Sequence, residues 1–356
     1  MAGDDQWKRP AGMKKILRPG LSATRTRCRH GARALPALGC AVLLAGCTGI
    51  QSALAPRGPA ARAVNEAGWA MYIGAALILA LVMALALYAV FRTGPRRRTM
   101  SETAFIVGGG LAFPVVTLSL LLFYGVHQAG VLRAAPADAP VRIEVIGRRW
   151  WWEVHYLDAA GTRTASTANE IRIPAGVPVA LSVRTDDVIH SFWVPNLAGK
   201  IDMIPGHVNR LRLQADRPGV YRGQCAEYCG AMHALMAFHV VAEAPPRFDA
   251  WVARQRQPAA PPATPLAARG REVFVQRCAA CHAVRGHGAA GVLGPDLTHL
   301  AGRAWIAAGT LENTSANLRR WVAHAQRVKP GNAMPDFADL ERHELDALTA
   351  YLEGLE

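Results

Sequence analysis

The chain has 356 residues, enough for two domains with appendages, and a formal net charge of +14. The placement of that charge excludes a nucleic-acid module. Residues 1–46 hold nine Lys and Arg against Asp4 and Asp5, a net +7, and Arg92, Arg96, Arg97 and Arg98 sit between two apolar runs. No stretch interleaves basic and aromatic residues as a nucleic-acid-binding motif does.

The basic N-terminal stretch runs to Arg33 and is followed by the apolar segment Ala34–Gly46, the layout of an export signal over residues 1–46. It ends Leu44-Ala45-Gly46-Cys47, which resembles a bacterial lipobox. That resemblance implies cleavage before Cys47 and a lipid on its thiol, with Cys28 and Cys40 discarded.

A two-helix membrane hairpin is expected over residues 65–128. Residues 70–91 and 103–124 contain no charged side chain, and each run matches the roughly 20 residues that a span needs. Trp69 and Tyr124 mark the outer interface. The four arginines between the runs place that loop in the cytoplasm, and the N-terminus and everything after Tyr124 outside. The triplet Gly108-Gly109-Gly110 inside the second run suits close helix packing.

From 138 to 245 the texture changes to short strands. Val141–Ile146, Ile171–Pro174, Val179–Val183 and Leu211–Leu213 alternate with period two between Gly, Pro and Asp turns, as in an all-β sandwich. Residues 255–266 are rich in Pro and Ala and read as a semi-extended linker. Such a stretch reaches roughly 35 Å at about 3.1 Å per residue, enough for a C-terminal domain to swing on it. Residues 267–356 read as that domain, small and all-α, with apolar residues at helical spacing over Asn317–Gln326 and Asp339–Leu355.

Two constellations carry the chemistry. Cys225, Cys229, His233 and Met236 fall on one short run after a strand near Val220 and Tyr221, with His190 at the end of an earlier apolar stretch. Two thiolates, imidazole and thioether form a soft donor set suited to copper. A disulfide or a Cys/Cys/His zinc site is also compatible with the spacing, and His190 alone could be a core histidine. The second constellation is Cys278-Ala279-Ala280-Cys281-His282, the signature of covalent haem attachment, with Met334 as candidate second axial ligand. His287, His299 and His324 are assigned to the surface.

The first constellation, the two apolar runs and the segment His190-Ser191-Phe192-Trp193-Val194-Pro195 together resemble cytochrome c oxidase subunit II over residues 65–245. Lys200–Gly206 and the run Gly147-Arg148-Arg149-Trp150-Trp151-Trp152 add to the resemblance, although Arg149 and Trp151 stand where the family usually has Gln and Tyr. It implies a cupredoxin sandwich with a dinuclear CuA centre. Cys225 and Cys229 would bridge the coppers, with His190, His233, Met236 and the Glu227 carbonyl as further ligands. The Glu227 carboxylate would bind a magnesium ion shared with subunit I, and Trp150 would be the point of electron entry.

Residues 267–354 resemble a class I cytochrome c, in which the Pro295 carbonyl would orient His282. The fusion looks like the caa3 type of bacterial oxidase. It implies an electron-entry subunit on the outer face of the inner membrane, assembled with subunit I and subunit III and served by a c-type cytochrome. Oxygen reduction and proton pumping would lie in another chain. A CuA-containing nitric oxide reductase subunit, or a membrane-tethered copper chaperone or shuttle, would share most of these features.

Overall fold

A computed structural model describes residues 49–91, 101–132 and 139–356. The export signal, Cys47 and the arginine loop fall outside the described residues.

Two helices are long and apolar enough to cross a membrane. The first is α1 (Pro59–Phe91). The second path is built from α2 (Glu102–Phe105), a π-helical segment Ile106–Ala112 and α3 (Phe113–Leu132). The glycine triplet lies in the π-helical segment, and no described atom outside its own helix backbone and chain neighbours lies within 4 Å of where its side chains would start. Among the described residues, nothing packs on the surface expected of it. Large apolar side chains such as Leu77, Val90 and Phe123 are two-thirds or more exposed, as a lipid-facing helix requires.

The chain ahead of α1 is strapped to the β domain. The Asn196 amide donates to the carbonyls of Ser52 and Ala55 at 2.9 and 3.0 Å, and the Asp216 amide donates to Arg57 O at 2.8 Å. A side chain at Gly58 would meet Gln214 O at 2.3 Å, so only glycine fits there. This contact keeps the strap and the β domain on one side of any membrane that both apolar helices cross.

The β domain has two five-stranded sheets. One has β1 (Val141–Arg148), β2 (Trp151–Leu157), β3 (Arg163–Ala168), β5 (Val179–Thr185) and β8 (Asn209–Leu213), in the order β3-β2-β1-β5-β8. The other has β4 (Glu170–Pro174), β6 (His190–Trp193), β7 (Ile201–Met203), β9 (Gly219–Cys225) and β10 (Ala237–Glu243), in the order β4-β10-β9-β6-β7. The pairs β1/β5 and β4/β10 are parallel and the others antiparallel. This is a curled, mixed, cupredoxin-like arrangement.

Period-two alternation sets the core. Val179, Leu181 and Val183 point inward from β5 while Ala180, Ser182 and Arg184 are half-buried. At the centre, Trp152 is fully buried between Phe192 and Phe238, at ring distances of 5.9 and 4.9 Å.

The linker region differs from its expectation. Helix α4 (Pro245–Gln255) packs Phe248 and Trp251 against Tyr156, and the residues after it lie against the C-terminal domain. Arg285 donates to Gln255 O at 2.6 Å, His299 Nε2 lies 3.1 Å from Gln257 O, and Ala259 is buried. The segment is held through the backbone carbonyls of Gln255 and Gln257 rather than left free.

In the C-terminal, mostly helical, cytochrome c-like domain, α5 (Pro265–Arg277) crosses α8 (Arg342–Glu353) at Gly270, where a side chain would sit 1.9 Å from Ala347 O. The helix expected over Asn317–Gln326 is two, α6 (Ser315–Ala323) and α7 (Ala325–Val328), broken at His324 with φ −138° and ψ 48°. His287 and His299 correct their surface assignment. Both are buried, His287 against the Tyr351 hydroxyl at 2.8 Å and His299 between Gln257 O and Glu356 O. Each ring nitrogen that makes these bonds is satisfied by protein, which is what allows burial.

Candidate metal and haem sites

Strand β9 ends on Cys225 and β10 begins at Ala237, so the intervening loop must turn back on itself. The Cys225 amide donates to Met236 O at 2.9 Å and the Ala226 amide to Ser191 O at 3.0 Å, which closes the loop beside β6. Pairing of Phe192 with Cys225 across β6 and β9 brings His190 to the same end of the sheet.

The donors converge. The sulfurs of Cys225 and Cys229 are 3.8 Å apart, and both cysteines are free. His190 Nδ1 lies 3.7 Å from Cys225 Sγ and His233 Nδ1 3.5 Å from Cys229 Sγ. Met236 Sδ is 3.8 Å from Cys229 Sγ, and Glu227 O is 3.2 Å from Cys225 Sγ. His190, Cys225 and Cys229 form a group able to hold a metal ion. Free soft sulfur donors at these separations, joined by imidazoles and a carbonyl, suit a soft metal such as copper. The contact with Cys229 lowers the Cys225 thiol against the opposing effect of burial, and the same contact pushes Cys229 up. The Glu227 and Tyr228 side chains at the tip are exposed.

The sequence reading missed Asp187. Its carboxylate holds His190 Nε2 at 2.8 Å and accepts the backbone N–H groups of Arg149 and Val188 at 2.7 and 2.6 Å. Burial raises this carboxyl, but those bonds outweigh it and hold it down at about 2. The bond fixes the ring so that Nδ1 faces the thiols. The local signal was there, three residues ahead of His190.

Trp150 touches the same loop. Its indole N–H donates to Cys229 O at 2.9 Å, and its ring lies on Gly230, where φ is +114° and a side chain would meet the ring at 3.0 Å. Trp151 is half-buried, and Trp152 belongs to the core.

In the C-terminal domain, Cys278, Cys281, His282 and Met334 line one cavity of about 380 Å³. A smaller one of about 80 Å³ shares Cys278, His282 and Met334 with it. His282 Nδ1 is bonded to Pro295 O at 2.8 Å, and a side chain at Gly294 would meet the imidazole at 2.6 Å. The Pro295 bond leaves Nε2 as the free nitrogen. Gln326 donates to Met334 O at 2.7 Å and the Met334 amide donates to the Asn332 side chain at 2.8 Å, fixing the loop that carries the thioether. Arg303 lines the smaller cavity, almost fully buried, with its Nε unpartnered. Adjoining apolar cavities that together offer two thiols, an imidazole, a thioether and the buried Arg303 fit an apolar macrocycle that bears carboxylates.

Lys329 is a further residue that sequence did not single out. It is 3% exposed, and its ammonium donates to Trp150 O at 2.7 Å. Burial pulls its amine down to about 7, against the opposing influence of Cys229.

A cupredoxin-like domain with a soft-donor cluster, joined to a cytochrome c-like domain and preceded by two membrane-length helices, defines a class of membrane electron-transfer subunits. Residues 153–244 match the family described as cytochrome c oxidase subunit II, periplasmic domain, and residues 267–356 match cytochrome c. Over 342 residues the chain is 35% identical to the cytochrome c oxidase subunit 2 of Alkalihalophilus pseudofirmus, covering 92% of this chain and 98% of that one. It is also 35% identical over 226 residues to the subunit 2 of Bacillus sp. (strain PS3), covering 60% of this chain and 62% of that one. Among solved structures, the periplasmic domain of subunit II of the Bradyrhizobium japonicum cytochrome oxidase is 28% identical, covering 33% of this chain and 95% of that one, with a TM-score of 0.31.

The chain belongs to the cytochrome c oxidase subunit II family, with a cytochrome c-like domain fused at its C-terminal side. It is an electron-transfer subunit of a haem-copper oxidase-type complex.

Proposed function

We propose that this chain is the electron-entry subunit of a caa3-type cytochrome c oxidase in a bacterial inner membrane, with both exported domains on the periplasmic face. Cys225, Cys229, His190, His233, Met236 and the Glu227 carbonyl would hold a CuA copper centre. Cys278, Cys281, His282 and Met334 would hold haem c. When bound, the two groups supply one-electron chemistry that links an external c-type cytochrome to the haems of subunit I, where oxygen is reduced and protons are pumped.

The protein's own part is to hold and orient. Asp187 presents His190 Nδ1 to the thiols, Pro295 presents His282 Nε2 to the cavity, and the Asn332 and Gln326 bonds fix Met334. Trp150 stands between the two sites. Glu227, exposed on the loop tip, would share a magnesium ion with subunit I, and subunit III would complete the assembly. Cys47 carries the lipid.

The observation that carries the reading is that Trp150 borders the haem cavity while its indole is bonded to the backbone of Cys229. The names of the relatives support oxygen over nitric oxide as the terminal acceptor. The test is purification of the membrane complex with its polytopic haem partner. Met334→Leu should slow reduction by an external donor and leave direct chemical reduction of copper unchanged. A variant that takes electrons from the donor at the unmodified rate overturns the proposed order of centres.

A second expected result concerns Asp187. Asp187→Asn should weaken copper binding by roughly ten- to hundred-fold, the range for lost outer-shell partners of metal-binding histidines. Copper titration of the metal-free chain measures it, with haem content as the control.

A further inference from the structure

The cavity of the cytochrome domain is not walled by that domain alone. Arg149, Trp150, Trp151 and Asn169 of the β domain line it as well. Nearby, the two domains are joined by specific contacts. Glu170 accepts the Ala304 amide at 3.1 Å, and Arg172 donates to Gly302 O at 3.0 Å. The Ala237 amide donates to Ala308 O at 3.1 Å, and His239 stacks on Trp305 with rings 3.6 Å apart and 16° from parallel. Glu170 and His239 are both buried.

Beside Trp150 stands Lys329. It forms no ion pair among the described residues, and its ammonium is bonded to the main-chain oxygen of Trp150. Burying an ammonium without a carboxylate is unfavourable, so packing alone does not explain a lysine there. Its position does. Lys329 lies in the segment whose Asn332 and Gln326 bonds hold Met334, and Trp150 is bonded onward to Cys229. Two hydrogen bonds therefore connect the loop that bears one site to the loop that bears the other.

We infer that Lys329 pins the cytochrome domain to Trp150, so that the two redox sites face each other across a fixed joint rather than through a domain swinging on its linker. Lys329 is a positioning residue: it holds the Trp150 backbone while the indole stays bonded to Cys229. The inference rests on the order of centres proposed above, and it replaces the tethered motion that the linker composition suggested.

Two measurements on the full chain in detergent test it. The first is amide hydrogen exchange at Ala237 and Ala304, which donate across the joint and need neither metal nor turnover. Both should exchange as slowly as amides inside the sheets; exchange at exposed-loop rates overturns the fixed joint. The second is the rate of electron passage from photoreduced haem to copper. It should be independent of solvent viscosity in the unmodified chain. Lys329→Met should slow it about ten-fold or more, as displacements near 1 Å can do to a geometry-dependent rate. The haem spectrum, copper content and direct reduction of copper should not change. A viscosity-dependent rate, or an unchanged rate in Lys329→Met, overturns the role of Lys329. If the variant fails to load either centre, viscosity dependence and exchange in the unmodified chain decide. Slow exchange with no haem-to-copper passage at all overturns the order of centres instead, and leaves the joint standing.

Discussion

Cys229→Ser is expected to abolish copper binding while leaving haem attachment intact. Cys229 Sγ lies within 3.8 Å of Cys225 Sγ, His233 Nδ1 and Met236 Sδ, so it is the hub of the cluster. A serine hydroxyl is a hard donor that stays protonated and cannot replace a bridging thiolate toward a soft metal. The haem cavity draws its thiols and imidazole from Cys278, Cys281 and His282, none of which touches this loop through a side chain. The bond from Trp150 reaches the backbone of Cys229 and survives the substitution. Metal analysis should find copper lost, and the haem spectrum should be that of the unmodified chain. Loss of haem together with copper would show that the two sites are not separate.

The second large effect is on stability. Trp152→Ala should destabilise the β domain by about 3–5 kcal/mol, the usual range for emptying a fully buried aromatic site. The reason is its location between Phe192 and Phe238, where both sheets meet. Neighbouring Trp151 is only half-buried, and Trp151→Ala should leave the domain folded. Denaturant unfolding of the solubilised chain, followed by near-ultraviolet circular dichroism, separates the two. A Trp152→Ala loss below about 1 kcal/mol would mean that the core collapses onto the gap, as partially relaxing sites do.

The contrast among three consecutive tryptophans shows what a sequence can carry. The donors in the Cys225–Met236 run were legible because they lie on one loop, and the attachment motif at Cys278–His282 for the same reason. His190 could be paired with them through the resemblance. Strand alternation in Val141–Ile146 and Val179–Val183 exposed the sandwich. Nothing local, however, tells which of Trp150, Trp151 and Trp152 is core. That depends on the turn ahead of β2, which sets the register and hence the inward face.

Longer-range contacts were invisible in the same way. Lys329 and Trp150 are 179 positions apart, and a lysine in a proline- and glycine-rich loop reads as solvated. His287 and His299 read as surface residues because their partners, Tyr351, Gln257 and Glu356, lie far along the chain. The linker composition did not show the Gln255 and Gln257 carbonyl acceptors that Arg285 and His299 use.

The strap ahead of the first membrane helix has a consequence for assembly. Its residues emerge early, yet the Asn196 side chain that donates to the Ser52 and Ala55 carbonyls lies 144 and 141 positions later. Closing so large a loop is slow compared with local pairing. Until the ribosome has delivered Asn196, Gln214 and Asp216, the segment around Gly58 has nothing to lie against. The sandwich must therefore be nearly complete before the strap can settle against it.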